Sequence, residues 1–110
     1  MQFFIHKFFN VCAEKAEYNL LRVQARSNAG LDISTDTAII KTLNYFIQKN
    51  DLEKAALACY YAGYVLHSQG KEAEAIEYYL QADDFAQYTG NNKLIGRIKN
   101  RIGMQTIRSD

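Results

Sequence analysis

The chain has 110 residues, 48% hydrophobic and 23% charged, which fits one globular domain large enough to bury a core and excludes an intrinsically disordered chain. With 13 basic against 12 acidic residues the net charge is +1, so no global field favours nucleic acid or an anionic membrane as partner. Cys12 and Cys59 lie at no metal-ligand or disulfide-scaffold spacing, which points to reduced thiols in a cytoplasmic chain. Along the sequence, Phe3, Phe4, Ile5, Phe8, Phe9 and Val11 come first, interrupted by His6 and Lys7. No basic n-region precedes them, no A-x-A-like site follows, and the run is too short to span a bilayer, so residues 1–10 read as an apolar N-terminal segment. The "NVC" before Glu14 resembles a lipoprotein cleavage site loosely and leaves a secreted or lipid-anchored parent as the minor alternative.

Apolar residues then recur at steps of three and four, the helical period, and no stretch alternates as a strand. A first helix is predicted over Phe8 to Ser27, with Ala13, Ala16, Leu20, Val23 and Cys12 on its buried side, closed at Gly30. Ser34, Thr35 or Asp36 caps a second helix striped by Ile39, Leu43, Phe46 and Ile47 and ended by "KND". Asp51 caps a third helix to about Gln69, burying Ala55, Ala56, Cys59, Ala62, Gly63 and Leu66, with Gly70 as its stop. The fourth carries Glu72 and Glu74 in its first turn, where the helix dipole favours acids, and buries Ala75, Ile76, Tyr79 and Ala82. Gly90 ends it, and Asn91 or Asn92 caps a fifth helix built on Leu94, Ile95, Ile98 and Ile102. The expected fold is all-α: about five helices whose short connections make antiparallel hairpins.

Gly63 and Gly103 both sit inside helices, 40 residues apart, although a helical glycine costs about 1 kcal/mol relative to alanine. The expectation is that each admits a closely packed neighbouring helix, and that the period marks a helix–turn–helix repeat. Residues Cys59 to Ala82, "CYYAGYVLHSQGKEAEAIEYYLQA", resemble a tetratricopeptide repeat. Ala62 and Gly63 match the family's L-G pair, Gly70 its turn, Ala75 and Ala82 its small residues and Tyr79 its aromatic. Cys59, Leu66 and Gln87 depart from its tryptophan, tyrosine and proline. The period of 40 is similar to that of longer repeats in bacterial regulators, including those of Bacteroidetes. The likeness covers Leu52 to Met104 best and Ala16 to Asn50 less well. It implies a single domain, residues 1–110, folded as stacked α-α hairpins in a superhelical solenoid. In it, 52–90 is the best-matched repeat and 91–110 the first helix of an incomplete one.

Chemistry finds little purchase in the same residues. His67 lies eight residues from Cys59 on one helix, about 12 Å along the axis, too far to act as its base. Glu72, Glu74 and Glu77 do not share one face with a second histidine, which argues against a metal site. Adjacent Asp83 and Asp84 diverge by about 100°, one toward water and the other toward a neighbouring turn. No glycine-rich phosphate loop is present, and the sequence calls for no cofactor. The chain therefore reads as a non-enzyme.

The resemblance implies binding instead, since the first helices of such hairpins line a concave face. Tyr60, Tyr64 and His67 of the third helix and Arg97, Asn100, Arg101 and Met104 of the fifth are the candidate contacts for a protein or peptide segment. Tyrosine and arginine are the residue types that anchor such interfaces. Residues 51–90 carry a net −5 and residues 91–110 a net +4, a polarity suited to an acidic segment or to the acidic body of a second copy. Five bases without interleaved aromatics do not make a nucleic-acid surface. With about two and a half repeats, a homodimer or higher assembly burying the fifth helix or the N-terminal phenylalanines is expected. The alternative function is a truncated regulatory or sensor protein whose repeats mainly oligomerise.

Overall fold

Local turn chemistry sets the boundaries of the helices. The computed structural model describes the backbone of residues 2–108 and the side chains of residues 13–104; the predicted places of Cys12, His6, Arg108 and the N-terminal phenylalanines fall outside the described side chains. Five helices follow in chain order: α1 (Gln2–Asn28), α2 (Ala38–Gln48), α3 (Leu52–Ser68), α4 (Glu72–Gln87) and α5 (Asn92–Arg108). The fold is all-α, with no strand among the described residues.

Gly30, Gly70 and Gly90 all have positive φ, and each follows a helix. At the first of them Leu31 N–H donates to the Arg26 carbonyl at 3.0 Å, satisfying one of the carbonyls that a helix end leaves without a partner. Asn50, with φ 57°, does the same work after α2 without a glycine. Asp51 accepts from Lys54 N–H at 3.2 Å and Asn91 from Leu94 N–H at 3.1 Å, so both predicted caps form.

The predicted cap of α2 does not form. Thr37 holds the N-cap position without a side-chain bond. Asp36 is drawn away by Arg26, whose Nε lies 2.9 Å from its carboxylate, and Asp32 accepts from Ser34 N–H at 2.9 Å. These bonds pin the α1–α2 connection, from which Ile33 enters the core at 2% exposure.

Helices next to one another in sequence pack together, α3 on α4 most extensively, and α1 also reaches α3. The Glu17–Lys54 ion pair ties α1 to α3, and Asn19 Nδ2 donates to the Thr42 hydroxyl of α2 at 3.0 Å. Ala16, Leu20 and Val23 from α1 meet Ile39, Leu43 and Phe46 from α2 in the core. Ala13 is only partly buried, and Ile47 points out at 37% exposure rather than completing the predicted stripe. α3 is central: it buries residues on nearly every side, as a helix with neighbours all round must.

Its seam with α4 is made by small residues. A Cβ at Gly63 would lie 2.6 Å from the Tyr79 ring and 3.1 Å from the Ala75 carbonyl, so the glycine admits the aromatic. Gly103 differs from expectation: no described atom lies within 4 Å of where its Cβ would stand, so no close packing explains it. On α4, Ala75, Tyr79, Ala82 and Ala86 are buried while Ile76 is partly so. Asp84 is the one of the pair that faces water, and Asp83 reaches Lys99 of α5 at 3.4 Å rather than a turn.

Candidate functional site

Tyr60, Tyr64 and His67 follow at steps of four and three and so share one side of α3; Arg97 and Arg101 stand one turn apart on α5. The structure brings four of these together. The Arg97 guanidinium carbon lies 5.4 Å from the Tyr60 ring centre, and that of Arg101 lies 4.6 Å from the Tyr64 ring centre. Arg101 also approaches the Tyr60 hydroxyl at 3.5 Å, a long hydrogen bond. Tyr60 packs edge-on against Tyr61 at 5.1 Å and beside Tyr79 at 5.9 Å. Two arginines of α5 thus lie on a tyrosine cluster rooted in α3.

Depth corrects part of the predicted site. Tyr60 is 4% exposed, so its ring supports Arg97 from beneath and offers little surface to a ligand. Tyr64 and Arg101 are half-buried, and Arg97 and Asn100 are exposed. Met104 is exposed and takes a weak N–H···S contact from Asn100 at 3.9 Å. A cleft of about 680 Å³ opens beside Arg97 between α1, α3 and α5. Gln24, Glu53, Leu57, Arg97 and Asn100 are among its walls, whereas Tyr60, Tyr64, His67, Arg101 and Met104 are not.

Gln24, Glu53 and Leu57 were missed by sequence reasoning. Carrying the Tyr60–Tyr64–His67 stripe back along α3 at the same spacing passes through Leu57 and Glu53, which was the available signal. Gln24 is set by α1 packing and had no local signal.

The cleft and its rim are mainly cationic. Lys93 and Arg97 line it against Glu53, whose carboxylate accepts from Asn91 at 3.3 Å. Neither Arg97 nor Arg101 joins any of the four ion pairs among the described residues. Under the stack, the hydroxyls of Tyr61 and Tyr79 are buried without a protein hydrogen-bond partner. Burial pushes the Tyr61 phenol upward, and the nearby Arg97 charge pulls it part of the way back. Burial likewise pushes Tyr79 up, opposed by Arg101.

Cys59 lies in the α3–α4 seam, fully buried, and desolvation pushes its thiol from 9.0 to about 12. A thiol held protonated is a poor nucleophile. Iodoacetamide at neutral pH is therefore expected to leave Cys59 unmodified in the folded chain and to modify it once denaturant is added. Because the folded state holds this proton more tightly than the unfolded state, stability is retained below pH 9 and falls as pH rises from 9 toward 12. Chemical unfolding at stepped alkaline pH, compared with Cys59→Ala, reads that contribution as the difference in slope.

Among the described residues no group of three or more His, Cys, Asp or Glu side chains is placed to hold a metal ion, and no helix is long and apolar enough to cross a membrane. Comparison with protein-family models, curated proteins and solved structures finds no match to the chain.

Proposed function

We propose that the chain is a non-catalytic interaction module of tetratricopeptide type that holds an acidic peptide or protein segment in the cleft between α1, α3 and α5. The observation that carries the reading is the pair of guanidiniums of Arg97 and Arg101. Each has its carbon over a tyrosine ring, and neither has an ion-pair partner among the described residues. A guanidinium held over an aromatic ring still has N–H donors for a carboxylate, with less side-chain entropy to lose on binding. Gln24 and Asn100 supply amides for a peptide backbone and Leu57 an apolar contact.

The family part of the proposal is supported by the Gly63–Tyr79 seam and by the burial of Ala62, Ala75 and Ala82 at the matched positions. In that reading α1, α3 and α5 are the inner helices of a solenoid and α2 and α4 the outer ones. A buried, protonated Cys59 is in keeping with a reducing, cytoplasmic setting.

Fluorescence anisotropy with three labelled peptides of equal length tests it, one rich in glutamate, one in serine and one in lysine. The glutamate peptide is expected to bind in the micromolar range, to weaken with added salt, and to shift the amide resonances of Leu57, Arg97 and Asn100. Equal binding of all three, or shifts confined to other helices, would overturn the proposal.

A further inference from the structure

Charge is sorted by helix along α4 and α5. Glu72–Gln87 contains five acids, Glu72, Glu74, Glu77, Asp83 and Asp84, and no base. Asn92–Arg108 contains five bases, Lys93, Arg97, Lys99, Arg101 and Arg108, and no acid. Glu77, Leu80 and Asp84 recur at helical spacing along the outer side of α4, with Tyr88 just past its end. Leu80 is 50% exposed and Tyr88 79%, so this acidic stripe also presents apolar area to water. On α5, Lys93, Gly96, Lys99 and Gly103 are exposed, the first two where α5 also forms the cleft wall, and no described atom lies within 4 Å of a Cβ built at either glycine. That part of the α5 backbone is open to close approach. One acid–base contact between the two helices already exists within the chain, Lys99 on Asp83 at 3.4 Å.

We infer that the outer surface of α4 and α5 is self-complementary and binds a second copy of this chain. In that dimer α4 of each protomer lies on α5 of its partner. A two-fold arrangement uses the same patch twice, and an acidic helix beside a basic helix supplies both halves of the contact. The charge pattern also selects the pairing, because α4 on α4 or α5 on α5 sets like charges together. Each stripe runs for about ten residues, roughly 15 Å of helix. Leu80 and Tyr88 lose their exposed area against the glycine-opened side of the partner's α5. Lys93 and Gly96 also line the cleft, so a variant on α4, none of whose residues lines it, is the one that separates the two proposals: it is expected to lose self-association and keep peptide binding.

Two double variants test it by sedimentation velocity over a range of chain and salt concentrations. Glu77→Lys with Asp84→Lys makes α4 basic in the stripe; Lys93→Glu with Lys99→Glu makes α5 acidic there. The wild-type chain is expected to be a dimer at tens of micromolar and to dissociate as salt is raised. Each double variant alone is expected to weaken self-association by about a hundredfold, since both helix pairs become like-charged. An equimolar mixture restores a dimer of one of each, because every α4–α5 pair is again opposite in charge. A monomeric wild type, double variants that dimerise normally, or a mixture that stays monomeric would each overturn the inference. Helix circular dichroism checks that the variants fold; should one fail, the wild-type mass and its salt dependence decide.

Discussion

Gly63→Ala is expected to cost the folded chain about 2 kcal/mol and to lower its melting temperature by roughly 10 °C. The new methyl carbon would stand 2.6 and 2.8 Å from two atoms of the Tyr79 ring and 3.1 Å from the Ala75 carbonyl oxygen. The ring is fully buried between α3 and α4, so it has no solvent-facing rotamer into which to retreat. Overpacking of this kind costs about 3 kcal/mol at the upper end of its usual range, and alanine's better helix propensity returns about 1. Gly103→Ala supplies the control. With no described atom within 4 Å, only the propensity gain remains, and stability is expected to rise by as much as about 1 kcal/mol in dilute solution. Denaturant unfolding followed by helix circular dichroism reads both. A second variant separates a clash from a backbone effect: Gly63→Ala with Tyr79→Leu, which withdraws the ring atoms, is expected to be more stable than Tyr79→Leu combined with an unrelated loss of equal size. Equal stabilisation at the two glycines would remove the packing account of the α3–α4 seam.

The contrast between these glycines shows what the sequence holds and what it lacks. Each is inside a helix, and local pattern makes them equivalent, but only Gly63 has a neighbour against it. Spacing fixes the direction in which a residue points around its own helix. It does not fix what lies there. The five helices, the positive-φ glycines and the caps by Asp51 and Asn91 were legible because each depends on a few consecutive residues. The α2 cap was not, since Asp36 has two claimants, the helix just after it and Arg26 ten positions before, and the arginine wins. Tyr60 is the same case at the site. Its side of α3 was readable, but its burial at 4% goes with neighbours from other helices, Tyr79 of α4 beside the ring and Arg97 of α5 over it. Gln24 enters the cleft through α1 packing, a contact far apart in sequence. The arginines were chosen for their residue type, and the finding that they stack on tyrosines without a carboxylate partner came only from the fold.

Arg97→Glu combined with Arg101→Glu is expected to abolish capture of the acidic peptide, weakening it by at least about a hundredfold. A hydrogen bond to a charged partner contributes about 1.5–3 kcal/mol, so losing two of them accounts for that factor before any repulsion is counted. Conservative variants then separate charge from geometry. Arg97→Lys and Arg101→Lys keep the cation but give up the planar fork above Tyr60 and Tyr64, and each is expected to weaken binding about five- to tenfold. If bulk attraction alone held the peptide, the lysine variants would bind as the wild type does. The reversal must also leave the mass of the assembly unchanged, because neither arginine belongs to the α4–α5 stripes. Dissociation on reversal, with no peptide captured by the wild type at any salt concentration, would instead favour a chain whose helices chiefly join copies of itself. The outcome turns on the guanidinium's shape: its planar fork offers paired donors to a carboxylate while its carbon stays over a tyrosine ring, and a lysine ammonium at the same place has no such fork.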